Sequence, residues 1–264
     1  MKKIRLNVKR ILVVSADVLL LAYLFLSMTS FNNPDETRLL CTTVNIDVAD
    51  KSANGFLSAQ EIKAILVRNK LYPLEQPMTA VNPRRIEETL MGSPFVKSAE
   101  CYKTKDGTVG ITVMQRLPVV RIKAMNGDDY YIDERGGIMP NSRYTSDLII
   151  VGGYVSRQMA RQDLTPIAAT LMKNNFWRNQ IEQIYVRQDQ TIEIVPRVGE
   201  HYIYIGRLPG TTEGEDRAAV LSAFIETKME RMERFYRYGL TQTGWNSYYE
   251  ISLEYDNQII CKRR

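Results

Sequence analysis

The apolar stretch at 11–31, ILVVSADVLLLAYLFLSMTSF, constrains this chain more than any other. Twelve of its 21 residues are Leu, Ile, Val or Phe, and a bilayer crossing needs about 20 mostly apolar residues. At roughly −0.5 kcal/mol each, those twelve contribute about −6 kcal/mol, against about +3 kcal/mol for Asp17 at a helix centre. The balance favours insertion, and Asp17 lies off-centre, where its cost falls. Lys2, Lys3, Arg5, Lys9 and Arg10 precede the stretch, whereas Asn32, Asn33, Pro34, Asp35 and Glu36 follow it. The positive-inside rule then predicts a cytoplasmic tail at 1–10, a transmembrane helix at 11–31 and the remainder outside the cytoplasm, as a single-pass type II protein of the cytoplasmic (inner) membrane. A cleaved signal peptide would need a shorter apolar region and a small-residue cleavage site, and Ser27-Met28-Thr29 is a poor one. An ionisable residue in a span is a functional candidate, so Asp17 is one, beside the plainer reading of a neutral acid near the interface.

The net charge of +5 does not indicate a nucleic-acid partner. Five of the 35 basic residues fall in the first ten positions; without them and Asp17 the chain carries 30 basic and 29 acidic residues. The basicity belongs to membrane topology. The three cysteines, Cys41, Cys101 and Cys261, are an odd number and define no disulfide framework. Cys41 and Cys101 could share one small sheet, but free buried thiols are the expected state.

Catalytic patterns are absent from the sequence. His201 is the only histidine, and a zinc site needs several His or Cys ligands at close spacing. It is expected at a turn or strand edge with no catalytic role. There is no phosphate-binding glycine motif; Gly136-Gly137 and Gly152-Gly153 fit turns. Asp133 and Glu134 are adjacent, so on a strand they point to opposite faces and form no acid–base pair. Neither a cofactor, a metal nor a small-molecule substrate is expected.

Beyond the span the pattern predicts a connector at 32–43 and a strand at 44–48. Ser58 and Glu61 form a capping box for a helix at 58–69. Asn82-Pro83 opens a second helix. A hairpin follows, with strands 96–103 and 108–115 around Asp106-Gly107. That order, strand-helix-helix-strand-strand, makes a compact α+β unit at 44–118. The remainder, 119–264, reads as β-rich: strands at 119–123, 129–133, 138–139 and 148–151, a helix capped by Asp163 and running through Asn174, and an antiparallel meander at 181–187, 191–196 and 202–205. A long helix at 215–238 carries Leu221, Phe224, Ile225, Met229, Met232, Phe235 and Tyr236 on one face. Two strands, 247–255 and 257–262, end the chain.

The ordered set resembles the FtsQ/DivIB family of bacterial cell-division proteins, with a POTRA-like first domain. The marks are Phe56-Leu57-Ser58 entering the first helix and Ser93-Pro94-Phe95-Val96-Lys97-Ser98-Ala99 entering the hairpin. Then come Gln115-Arg116-Leu117-Pro118, where the family usually has Glu-Arg-x-Pro, and the turn from Tyr131 to Ile138. Ile205-Gly206-Arg207 and the run from Ile251 to Asn257 complete the set. Gln115 departs from the usual acid, the 148–152 segment lacks an expected proline, and Cys261 stands where an aromatic is expected. The resemblance implies a fold of class α+β: one N-terminal transmembrane helix, a small βααββ POTRA-like domain, and a larger β-rich domain with an antiparallel sheet and flanking helices. It implies a non-enzymatic division scaffold in the periplasm that recruits FtsB-like and FtsL-like proteins and other divisome components, and helps regulate septal peptidoglycan synthesis. Partner binding is expected by strand addition at Tyr255, Asn257, Gln258, Ile259, Ile260 and Cys261. The alternatives are a POTRA-bearing export or chaperone module and a membrane-anchored wall-modifying protein.

Overall fold

The computed structural model describes residues 8–30, 39–49, 56–142 and 148–264. They fall into two compact units, one drawn from 1–49, 59–91 and 98–113, the other from 50–58, 92–97 and 114–264.

Helix α1 spans Val8–Ser30, with side chains described from 13 to 28. The expectation of a membrane-crossing helix at 11–31 is corrected here. Among the described residues, no helix is long and apolar enough to cross a membrane. Ser15, Asp17, Tyr23 and Ser27 interrupt the apolar run of α1. Asp17 is exposed on this helix, as are Val14, Val18, Leu21 and Phe25. Most of the expected tail at 1–10 and of the connector at 32–43 lies outside the described residues.

The first unit has the expected strand-helix-helix-strand-strand order: β1 (Thr43–Val48), α2 (Ala59–Arg68), α3 (Pro83–Met91), β2 (Val96–Lys103) and β3 (Thr108–Gln115). Helix α2 starts one residue after Ser58, and in α3 the Asn82 Oδ1 accepts the Arg85 N–H at 3.2 Å. That is the side-chain cap the Asn-Pro pair requires. The sheet runs β1-β3-β2, and β1 lies parallel to β3 from Thr43 opposite Thr108 to Val48 opposite Val113. Ile62 and Leu66 of α2, Ile86 and Leu90 of α3 and Val109, Ile111 and Val113 of β3 are all buried. Cys41 and Cys101 are buried free thiols.

The second unit is built on a nine-stranded sheet. Its strands are β4 (Pro118–Ala124), β5 (Asp129–Asp133), β6 (Ile138–Pro140), β7 (Ile149–Gly153), β8 (Ile181–Val186), β9 (Thr191–Pro196), β10 (Tyr202–Arg207), β11 (Tyr248–Ser252) and β12 (Ile260–Arg263). They lie in the order β12-β11-β10-β9-β8-β7-β4-β5-β6. The meander β8-β9-β10 is antiparallel as expected. The sheet as a whole is not: β7 is parallel to both β4 and β8, and β11 is parallel to β10. Two of these pairs, β7–β8 and β10–β11, follow helical crossovers. A strand that returns to the same sheet through a helix lands parallel to the one it left.

The first crossover is α4 (Arg157–Met159), a π-helical turn at Ala160–Leu164, α5 (Thr165–Lys173) and α6 (Trp177–Gln180). Its cap is Ser156, whose Oγ accepts the Met159 N–H at 3.2 Å, so Asp163 is not the cap. Asp163 instead lies inside the turn and pairs with Arg217 at 2.7 Å. The second crossover is α7 (Arg217–Phe235), capped by Asp216, whose Oδ1 accepts the Ala218 N–H at 3.0 Å. A π-helical turn at Tyr236–Leu240 and the short α8 (Thr241–Thr243) follow. Ile167 and Leu171 of α5, Leu221, Ile225, Met229 and Met232 of α7 and the inward residues of the strands form one core. Phe224 and Phe235, expected on the same stripe, are only partly buried, and Lys228 is buried in it instead.

Gly153 ends β7 with φ +94°, and a Cβ there would run into the Val186 carbonyl across the parallel β7–β8 pair. The left-handed conformation costs a non-glycine residue about 1–2 kcal/mol before any clash. Gly153→Ala is expected to destabilise the second unit by at least about 2 kcal/mol. Both tryptophans, Trp177 and Trp245, lie in this unit. Thermal unfolding followed by tryptophan fluorescence checks the loss, and an unchanged midpoint contradicts it.

Candidate functional site

The helix-free face of the large sheet is polar and aromatic towards β12. Register places Tyr185, Glu193 and Tyr204 side by side on β8, β9 and β10, and Tyr202, Glu250 and Lys262 side by side on β10, β11 and β12. Glu250 accepts from the Tyr202 hydroxyl at 2.7 Å and pairs with Lys262 at 2.9 Å. Burial pushes the Glu250 carboxyl up, but Lys262 and Tyr202 outweigh it and hold the group below the ordinary carboxylate range. Arg187 pairs with Glu193 and lies over the rings of Tyr202 and Tyr204, at 5.7 and 5.5 Å from their centroids. Such opposite-charge and aromatic neighbours across strands are the units that stabilise an exposed sheet face.

Among the described residues, β12 is an edge of the nine-stranded sheet. It pairs antiparallel with β11, Ile260 opposite Ser252, Cys261 opposite Ile251 and Lys262 opposite Glu250. The expected strand at 257–262 therefore begins later, and the one at 247–255 stops at Ser252. Residues 253–259 form a turn-containing connector, because α7 side chains take backbone carbonyls there that a ladder would otherwise use.

The six expected contact residues are thus split. Tyr255, Asn257 and Gln258 are exposed on the connector. Ile259 and Cys261 are half-buried and pack against the core, while Ile260 on the opposite face is 41 % exposed. Asp17 is on α1, which belongs to the first unit.

Two sequence marks meet at the start of the second unit. Arg116 donates through Nε and Nη2 to Asp133 Oδ2, at 2.8 and 2.6 Å, and through Nη1 to the Pro94 carbonyl at 3.0 Å. Asp133 Oδ1 accepts the N–H groups of Arg135 and Gly137, at 2.9 and 2.7 Å. Phe56 stacks on Phe95, with ring centroids 5.6 Å apart, and meets Tyr131 edge-on at 5.1 Å. Gln115, buried, accepts the Leu57 N–H through Oε1 at 3.4 Å. A cleft of about 540 Å³ opens beside the ion pair, lined by Lys97, Arg116, Asp133, Glu134, Arg135 and Arg161 among others. The pairing of Arg116 with Asp133 escaped sequence reasoning, although both motifs were visible separately.

His201 is not a strand-edge residue. It is buried just before β10, with Nε2 2.7 Å from the Tyr236 hydroxyl. Tyr236 in turn packs against Trp177 and Trp245, ring centroids 5.3 and 5.1 Å away, and this aromatic cluster encloses the imidazole. Burial lowers the His201 pKa, and a backbone hydrogen bond at Trp245 offsets it only in part. Among the described residues, no group of three or more His, Cys, Asp or Glu side chains could hold a metal ion.

Two family models match the chain. Residues 39–114 match a POTRA-like domain, and residues 117–262 match the model described as FtsQ/DivIB, C-terminal related. The chain belongs to the FtsQ/DivIB-related family. No curated protein matches it significantly. The second match takes in Asp133 and the nine-stranded sheet as far as Lys262 of β12.

Burial pushes the Asp133 carboxyl up, yet Arg116 and the two turn N–H groups outweigh it and hold the pKa below its ordinary value. A carboxyl depressed on folding stabilises the native state above its unfolded pKa of about 3.9, and that contribution is lost as pH falls below it. Asp133→Asn is expected to flatten the acid limb of the stability profile below about pH 4. Asp133→Ala, which strands Arg116, is expected to cost about 3 kcal/mol at pH 7. Denaturant midpoints measured from pH 7 down to pH 2.5 check both, and an Asn variant with an unaltered acid limb contradicts the assignment.

Proposed function

We propose that this protein is a non-catalytic scaffold of bacterial cell division that recruits FtsB-like and FtsL-like partners by strand addition to β12. The observation that carries the reading is the position of β12. Among the described residues it closes one end of the nine-stranded sheet, and Ile260 is exposed on the helix-free face. A partner segment laid beside it would gain main-chain hydrogen bonds from that edge and side-chain specificity from the flanking residues. Tyr255, Asn257 and Gln258, exposed on the connector, would meet the same partner, and Ile259 and Cys261 would hold the strand to the core. Family membership supports the division role.

The same reading has the protein at the cytoplasmic membrane, with the POTRA-like domain and the β-rich domain in the periplasm and regulation of septal peptidoglycan synthesis as the outcome of recruitment. What supports membrane association is the exposure of α1. Val13, Leu19, Leu21, Phe25 and Met28 are each more than half exposed, a density of uncovered apolar surface that water disfavours. Asp17 would face a partner helix there.

Ile260→Asp adds a charge at an exposed edge position, so the second unit is expected to fold and melt within a few degrees of the parent. Co-purification with a tagged FtsB-like protein of the same organism is expected to disappear. Undiminished capture by the Asp variant, or by a chain ending at Asp256, rules out strand addition at β12. Membrane association is read separately, by whether the full chain stays in the pellet after alkaline carbonate extraction.

A further inference from the structure

The connector between β11 and β12 is held from outside the sheet. Four consecutive backbone carbonyls in it accept from two cations on α7. Lys228 Nζ donates to the Leu253 carbonyl and, at 3.0 Å, to that of Glu254. Arg231 Nη1 donates to the Tyr255 carbonyl at 2.6 Å and to that of Asp256. The spacing of three residues puts the two cations on one helix face, stacked along the chain they hold.

Neither cation is placed as a surface charge would be. The Lys228 side chain is 3 % exposed and interrupts the apolar stripe of Ile225, Met229 and Met232. Its ammonium lies 4.9 Å from the Phe224 ring centroid. Asp256, 4.0 Å away, has a side chain 92 % exposed, so water weakens that pair, and Glu254 is a second acid close enough to act on the ammonium. Burial lowers the Lys228 pKa, and nearby Arg231 lowers it further. Arg231 Nη2 is buried without a hydrogen-bond partner among the described residues. A methionine at 228 would complete the stripe with no charge to desolvate. Core packing alone does not call for an ammonium there; the carbonyls of 253 and 254 do.

We propose that Lys228 and Arg231 are positioning residues that fix the β11–β12 connector, so that the edge strand is presented to its partner already formed. The inference rests on strand addition at β12. With only Ile260–Arg263 in the ladder, sheet pairing by itself holds the edge weakly, and an edge strand that frays offers no template. A partner's apparent affinity falls by the fraction of time the edge is formed. A preformed edge leaves only the incoming segment to be ordered.

The test uses the full chain in detergent micelles, as parent, Lys228→Met and Arg231→Gln. Amide hydrogen exchange is measured at 254–263 and in the meander β8–β10, alongside the fluorescence melting transition and capture of the tagged FtsB-like protein. Exchange at 260–263 is expected to speed up at least tenfold in each variant while the meander stays protected, and capture to weaken at least tenfold. Unchanged exchange at the edge in both variants overturns the positioning role, whatever happens to capture. Faster edge exchange with undiminished capture overturns strand addition itself, and the presenting role with it. Should Lys228→Met lower the melting transition and loosen the meander as well, the half-buried Arg231→Gln decides between the two.

Discussion

The return of the chain through α7 determines where the large sheet ends. A strand that leaves β10, crosses as a helix and re-enters the sheet must land parallel, and β11 does so, Tyr202 opposite Glu250. The crossover succeeds because α7 buries Leu221, Ile225, Met229 and Met232 in the same core as Ile203, Ile205 and Ile251. Each such side chain contributes roughly 1.5–3 kcal/mol when fully buried. Beyond β11 a turn leads to Ile260–Arg263, which pairs antiparallel with β11 at an edge of the sheet among the described residues.

An edge strand invites unwanted pairing, and its composition bears on which strands can join it. Lys262 and Arg263 place two cations on a four-residue strand, the kind of charge that discourages indiscriminate edge-to-edge association. Lys262 is itself held by Glu250, which is anchored by the Tyr202 hydroxyl. Ile260 is the apolar position left uncovered on the outer face. A segment that pairs here must therefore tolerate the cations and bring apolar surface to one position. Those two requirements narrow the choice more than a plain apolar edge would.

Much of the fold was legible in the sequence. The first unit's element order followed from Asn82-Pro83, Asp106-Gly107 and the alternation of Val109, Ile111 and Val113, which are local signals. The mixed character of the large sheet was not legible from strand patterns, because a buried strand reads the same whether its neighbour is parallel or antiparallel. The helices between β7 and β8 and between β10 and β11 carried that information, and reading the crossovers as connections would have given it. Asp163 misled because Ser156 caps the helix earlier and a π-helical turn carries it past the acid. At the edge, strict alternation placed Asn257–Ile259 in a strand. Lys228 and Arg231, distant in sequence, hold that stretch as a connector, and the sole hint was a lysine in an otherwise apolar stripe.

Gln115 is the departure that the structure explains most directly. Residue 115 is 2 % exposed, and its Oε1 accepts the Leu57 N–H. A glutamate there could accept the same proton but would bring a second carboxylate into a buried place beside Arg116, whose guanidinium already spends Nε and Nη2 on Asp133 and Nη1 on the Pro94 carbonyl. An ionised carboxylate without its own counter-charge is costly to bury, whereas a neutral amide needs only hydrogen-bond partners. The glutamine keeps the acceptor and drops the charge. In this chain one acid, Asp133, therefore serves the arginine, and the 133–137 turn that its other oxygen organises depends on that single ion pair.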